Sequence, residues 1–230
     1  AGCCGAVDYH LNAQEAGLQR ARQNIDAWWP SIEAGIEAIV QTASGCGAFV
    51  KDYGHLLAGD SAYASKAARV SALARDLVEV LLGEALEKLQ VRAEQRLAFH
   101  CPCTLQHAQK LGGAVEGVLT RLGFGLTAVP DGHLCCGSAG TYSLTQPELS
   151  RQLRDNKLNA LESGKPDTIV TANLLRPELF STKTFGLSEG EVVSDLGLVI
   201  RPDARLDPIE IQALDLSLIH ISEPTRPLYI

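Results

Sequence analysis

The chain has 230 residues, 46% of them hydrophobic and 20% charged, enough to bury a sizeable core and far from a disordered composition. Twenty basic against 27 acidic residues leave a net charge of -7 and no basic stripe to neutralise phosphates, which excludes nucleic acid as the natural partner. No run of about 18 apolar residues occurs, and the opening AGCCGAVDYH has neither the basic nor the apolar region of a signal peptide, so a cytoplasmic chain without a transmembrane segment is expected.

In chain order, Cys3-Cys4-Gly5 leads through a loop into a predicted helix over Ala13 to Glu37, with Leu18, Ala21, Ile25, Trp28 and Trp29 near i, i+3, i+4 spacing. The apolar run Ala38-Ile39-Val40 then reads as a buried parallel strand, followed by Ser44-Gly45-Cys46-Gly47. Between Ser61 and Leu89, the periodicity of Val70, Leu73, Leu77, Val80 and Leu81 predicts one or two amphipathic helices that serve packing. Leu97-Ala98-Phe99 reads as a strand that ends on His100-Cys101-Pro102-Cys103, and Thr104 to Leu122 reads as a helix. Leu126 to Val129 is a further strand, before the loop Leu134-Cys135-Cys136-Gly137-Ser138-Ala139-Gly140. A helix starts at Pro147-Glu148, with apolar positions Leu149, Leu153, Leu158 and Leu161, and Thr168 to Ala172 is the last strand of the series.

The same order occurs twice: a Cys-Cys-Gly turn, a helix, a β-branched strand. The copies lie about 130 to 133 residues apart, and Arg22-Gln23-Asn24 reads against Arg154-Asp155-Asn156. The expected fold class is α/β, as two similar Rossmann-like halves with helices packed on short parallel sheets. Residues 1–90 form the first half with its linking helices and 91–174 the second.

Seven cysteines are present, four of them in adjacent pairs that rarely close a disulfide on themselves. An odd count without a secretion signal favours metal ligation or redox chemistry over a disulfide framework. Buried inert thiols would account for a lone Cys46 but poorly for two CCG tripeptides. Overlaying the copies brings thiolates from strand ends and a loop pair to one place, which is where open α/β sheets hold ligands. That arrangement suits an iron-sulfur cluster, and the small residues Gly5, Ala6, Gly137, Ser138, Ala139 and Gly140 let backbone approach the sulfurs. Zinc also accepts four cysteines, but only Cys101 and Cys103 come near the spacing of a zinc knuckle.

These motifs resemble the CCG-domain proteins, which include heterodisulfide reductase B-type subunits, anaerobic glycerol-3-phosphate dehydrogenase C-type subunits and lactate-utilisation iron-sulfur proteins. The resemblance covers about residues 1–174. Within it, GCCGAVDYHLN, ASGCGAFVKDYGHLL, FHCPCTLQHAQKL and HLCCGSAGTYSL are most similar to the C-terminal part of glycolate oxidase iron-sulfur subunits. The resemblance implies tandem CCG cysteine-rich repeats holding iron-sulfur clusters, of 4Fe-4S type. Carried over by position, the metal ligands are Cys3, Cys4 and Cys46 in the first copy, and Cys103, Cys135 and Cys136 in the second, with Cys101 able to replace Cys103. The leading cysteine of the first copy would lie before Ala1, and the final one of the second would fall near Arg176, where the chain reads Leu174-Leu175-Arg176. Three residues after Cys46, where the family often ends in CxxC, stands Phe49. A cubane cluster, a non-cubane cluster and a degenerate site are all compatible with this set.

From the absence of methionine and the opening at Ala1, a natural start upstream is expected. Beyond Asn173 the repeat breaks off, leaving residues 175–215 unassigned. The segment Leu216-Ser217-Leu218-Ile219-His220-Ile221-Ser222-Glu223-Pro224-Thr225-Arg226 reads as a translated transposase sequencing adapter, which makes residues 216–230 foreign to the fold.

His100 and His133 are expected beside the ligands, donating hydrogen bonds to sulfur rather than binding iron, and His10, His55 and His107 in ordinary polar contacts. Trp28 and Trp29 read as core or interface aromatics, and Lys51-Asp52-Tyr53 and Arg151 to Lys157 as solvated faces. No Walker loop, GxGxxG or Ser-His-Asp order is present, so substrate chemistry belongs to another subunit. The resemblance implies an electron-transfer subunit that takes electrons from flavoprotein subunits oxidising glycolate or a similar 2-hydroxy acid. These pass towards membrane quinone, with the complex peripheral at the inner face of the plasma membrane. A heterodisulfide-reductase-like thiol and disulfide chemistry, or a structural metal-binding docking module, are the other functions weighed.

Overall fold

Helix formation in the first repeat follows from one stripe. Gly17, Ala21, Ile25, Trp28 and Ile32 recur at helical spacing, and all are buried on the helix Gln14–Glu33. The computed structural model describes residues 2–89 and 91–172, with the backbone of a short antiparallel pair, Val192–Val193 and Val199–Ile200. The position expected to carry a final cysteine near Arg176, the unassigned stretch and the adapter-like segment lie outside the described residues, that strand pair aside.

The described residues divide into two compact units, one up to Leu77 and one from Val78. The first contains α1 (Ala6–His10), α2 (Gln14–Glu33), β1 (Ile39–Gln41), α3 (Ser44–Lys51), α4 (Tyr53–Leu56), α5 (Ala64–Leu73) and β2 (Ala74–Asp76). Gly35, at φ 90°, takes the left-handed conformation that ends α2. Strands β1 and β2 are parallel, with Ile39 opposite Ala74 and Gln41 opposite Asp76. The stretch read as helical linker therefore contains a strand. β1 needs a partner for its backbone groups, and Ala74 and Asp76 bury on either side of exposed Arg75. The core is centred on Ile25, Trp28, Val50, Tyr53, Leu57 and Val70. Each such side chain contributes about 1.5–3 kcal/mol on leaving water.

The second unit contains α6 (Leu77–Leu82, starting at the boundary), a 3-10 turn (Leu86–Lys88), β3 (Arg96–His100), a π-helical turn (Thr104–Ala108) and α7 (Ala114–Arg121). β4 (Gly125–Leu126), α8 (Tyr142–Thr145), α9 (Pro147–Glu162) and β5 (Thr168–Thr171) follow. Its sheet is parallel in the order β4-β3-β5, with Leu97 opposite both Leu126 and Thr168, and His100 opposite Thr171. Central β3 is buried at Leu97, Ala98, Phe99 and His100, as a doubly covered parallel strand must be. The helix expected over Thr104 to Leu122 is broken. Lys110 and Gly113 both have positive φ, and the Gly112-Gly113 pair makes continuous helix costly, so α7 starts afresh at Ala114. On α9 the buried positions are Ser150, Lys157 and Leu161, whereas Leu149, expected to be apolar contact, is exposed. Among the described residues, no helix is long and apolar enough to cross a membrane.

Candidate metal centres

Each Cys-Cys-Gly turn is seated on the long helix downstream of it, α2 in the first unit and α9 in the second. Gly5 and Gly137 have φ of 95° and 78°, a region that side chains avoid. A Cβ on Gly5 would stand 2.4 Å from the Gly17 carbonyl oxygen, and one on Gly137 would stand 2.4 Å from that of Ser150. The same contact thus occurs in both units. It fixes the repeat's register along the helices one residue away from the sequence overlay, matching Gly17 with Ser150 and hence Asn24 with Lys157. The buried Ser150 hydroxyl adds a hydrogen bond of 2.7 Å to the Gly137 carbonyl.

In the first unit, the turn brings Cys3 and Cys4 together and the start of α3 brings Cys46 to them. The Cys3 thiol interacts with Cys4, and Cys4 with Cys46. Its neighbour Cys4, with burial adding to it, raises the Cys3 thiol well above its ordinary range. For Cys4, the bond received from Cys3 favours ionisation, but its own bond to Cys46 and burial outweigh this and push it up to about 12. The N-H groups of Gly5 and Ala6 point at the Cys3 and Cys4 sulfurs. Behind the turn, the Asn24 side-chain amide donates to the Cys3 carbonyl at 3.1 Å and to the Tyr53 hydroxyl at 3.2 Å. The Tyr53 hydroxyl donates to the Cys4 carbonyl at 2.6 Å. Tyr53, read as part of a solvated face, has no exposed surface at all.

In the second unit, β3 ends at the His100-Cys101-Pro102-Cys103 segment, and the loop before α8 supplies Cys135 and Cys136. Their thiols feel one another: Cys136 is raised by burial first, then by Cys135 and Cys103. Burial, the Glu116 carboxylate and Cys103 push Cys101 up to about 12. Cys101 packs against the apolar core, whereas Cys103 and Cys135 are exposed. The Gly137 N-H donates to the Cys135 sulfur at 3.3 Å, and the Ser138 N-H serves Cys136. In both turns, then, the N-H two residues along backs each sulfur.

His100 is buried, its Nδ1 2.9 Å from the Thr171 Oγ1. Burial, helped by the charge of Lys157, holds its pKa down to about 4. His133, like His55 and His107, is exposed, while the His10 ring packs edge-on against Tyr9 and Phe49. Trp28 lies in the core beside Tyr53, and the half-buried Trp29 donates to Glu33.

Lys157, placed by sequence on a solvated face, is 2% exposed. Its Nζ donates to the Gly132 carbonyl at 2.9 Å, with the Asp131 carbonyl at 3.5 Å. Burial lowers its pKa, while Cys136, Cys103, Cys135 and Cys101 act in the opposite direction. The signal was present in the sequence. Lys157 is in step with Ser150 and Leu161 on the helical repeat, a core position.

Among the described residues, no group of three His, Cys, Asp or Glu side chains already forms a single-ion site. The chemistry of the donors nevertheless fits iron and sulfide. Crowded thiols that resist ionisation singly become thiolates together when a metal takes the place of their protons. Backbone N-H groups aimed at the sulfurs are the usual tuning contacts of such clusters.

The family model described as "Cysteine-rich domain" (CCG) matches residues 1–51 and 97–174, covering both turns and more than half of the chain. The chain belongs to this family of CCG cysteine-rich domain proteins. It is 75% identical over 174 residues to the "Glycolate oxidase iron-sulfur subunit" of Escherichia coli (strain K12), covering 76% of this chain and 43% of that one. Similarity extends to the "Probable glycolate oxidase iron-sulfur subunit" of Bacillus subtilis (strain 168), at 30% identity over 74% of this chain and 38% of the relative. The "Lactate utilization protein A" of Geobacillus thermodenitrificans (strain NG80-2) is 29% identical over 74% of this chain and 70% of its own. The chain thus spans about two fifths of the length of the two glycolate oxidase relatives.

Proposed function

We propose that the chain is the cluster-bearing part of an electron-transfer subunit. It takes electrons from flavoprotein subunits that oxidise glycolate or a similar 2-hydroxy acid and passes them towards membrane quinone. The observation that carries the reading is the repeated turn: paired cysteines seated on glycine, backed by N-H groups, in a chain 75% identical to a glycolate oxidase iron-sulfur subunit. Cys3, Cys4 and Cys46 would hold a cluster in the first unit, and Cys103, Cys135 and Cys136, with Cys101 beside them, one in the second. When bound, a 4Fe-4S cluster supplies a one-electron couple. The chain's residues do the rest: the turns orient the sulfurs, the N-H groups favour added negative charge, and the apolar wall behind Cys101 keeps water from one side. Association with a membrane would come through the other subunits.

The test is iron, acid-labile sulfide and zinc per chain after anaerobic reconstitution, with low-temperature EPR. Iron and sulfide in comparable amounts are expected, with part of the signal lost in Cys3→Ser/Cys4→Ser and the remainder in Cys135→Ser/Cys136→Ser. Zinc alone, or no metal even in a version extended at both ends to restore the missing ligands, refutes electron transfer and leaves a structural module.

A further inference from the structure

α9 carries a charged residue where its buried stripe calls for an apolar one. The stem of Lys157 is buried between Ser150 and Leu161 on that stripe, and its ammonium is tied to the loop just ahead of the cysteine pair, through the Gly132 and Asp131 carbonyls. Carbonyl oxygens satisfy ammonium donors without cancelling the charge. A buried ammonium held this way calls for an anionic partner, because desolvating an unpaired charge is strongly unfavourable. The ionisable groups that favour its charge are the thiols of Cys136, Cys103, Cys135 and Cys101.

The equivalent place in the first unit is neutral. There Asn24, 1% exposed, performs the same mechanical task, accepting from the Gly2 N-H at 2.7 Å and donating to the Cys3 carbonyl. Both side chains tie the helix to the segment at or ahead of the cysteine pair, and only one brings a charge. The clamp therefore does not require a cation, and the cation in the second unit needs another reason.

We infer that Lys157 is the fixed counter-cation of the second cysteine set and raises the reduction potential of the centre held there above that of the first. The inference rests on the reading that these cysteines hold iron-sulfur clusters. Reduction adds one electron, and so one negative charge, to the centre; within the protein no bond forms or breaks and no proton needs to move. A fixed positive charge in a poorly solvated setting favours the reduced state. At a given ambient potential the second centre is then the more reduced of the two.

The experiment is an EPR-monitored redox titration of the reconstituted chain with dithionite as the one-electron reductant, comparing Lys157→Met and Lys157→Arg with the unaltered protein. In Lys157→Met, the ratio of reduced to oxidised second centre at a fixed potential should fall about tenfold, equivalent to about 59 mV for a one-electron couple. Lys157→Arg should restore it, and the first centre should not move. An unmoved midpoint with iron and sulfide intact overturns the inference and leaves the electron-transfer reading standing. So does a lowered melting temperature with an unmoved midpoint, the mark of a merely mechanical clamp. No iron or sulfide even in a version extended at both ends to restore the missing ligands removes the reading itself. A second measurement does not depend on how Lys157→Met folds. The centre that survives in Cys3→Ser/Cys4→Ser should titrate at a higher potential than the one that survives in Cys135→Ser/Cys136→Ser, and the reverse order or equality overturns the inference.

Discussion

Replacing Gly137 with alanine is expected to unseat the second cysteine pair from α9. The residue sits at φ 78°, and an added Cβ would lie 2.4 Å from the Ser150 carbonyl oxygen and 3.1 Å from its carbonyl carbon and Cα. The left-handed backbone costs a residue with a Cβ about 1–2 kcal/mol. The overlap adds to this, because the obstructing atoms are helix backbone and no rotamer change relieves it; overpacking of this kind costs about 1–3 kcal/mol. A loss of about 2–5 kcal/mol follows, against total domain stabilities of about 5–15 kcal/mol. Gly113 is the control, since it has φ 82° but nothing within 4 Å of an added Cβ, so Gly113→Ala bears only the conformational penalty. Urea unfolding of the metal-free chain, followed by circular dichroism, should put the Gly137→Ala midpoint clearly below that of Gly113→Ala. Equal midpoints would show that the turn is not seated on the helix as described.

Tyr53→Phe removes the donor to the Cys4 carbonyl and the acceptor for Asn24 in a fully buried site. A loss of about 1–3 kcal/mol is expected in the first unit, read by tryptophan emission because Trp28 stacks on Tyr53. His100 should make stability depend on pH. Its folded pKa of about 4 lies below the ordinary 6.5, so the folded chain binds fewer protons, and the stabilisation present above pH 6.5 is lost as pH falls towards 4. The loss approaches about 3 kcal/mol, and His100→Asn, measured by urea unfolding at several pH values, should flatten this part of the profile.

The cysteines and the order of the repeat were legible because thiol chemistry restricts which residues can stand at such a site. The main elements followed from periodicity, as in α2 and in β3. β2 was not legible, since a strand of three residues between two helices leaves no alternation to detect, and its existence depends on the pairing needs of distant β1. The break before α7 was legible in principle from Gly112-Gly113, but the apolar spacing on either side concealed it. Tyr53 and Lys157 were missed for one reason, that polarity was taken for exposure, and Asn24 was noticed only as part of the repeat. Each lies at a core position, where its polar atoms find backbone partners, and only helical phase distinguishes such a residue from a solvated one.

The seating of each Cys-Cys-Gly turn on the helix behind it also bears on how each thiol is placed. Gly5 meets Gly17 and Gly137 meets Ser150 across short sequence separations, and the Asn24 and Lys157 ties reach back only 21 to 26 residues. Loops of this size close with little entropy loss, whereas Cys46 and Cys103 follow strands whose partners include Ala74, opposite Ile39, and Thr168, opposite Leu97, farther along the chain. The adjacent thiols of each unit are therefore placed by contacts local in the chain, and Cys46 and Cys103 by pairing between more distant segments.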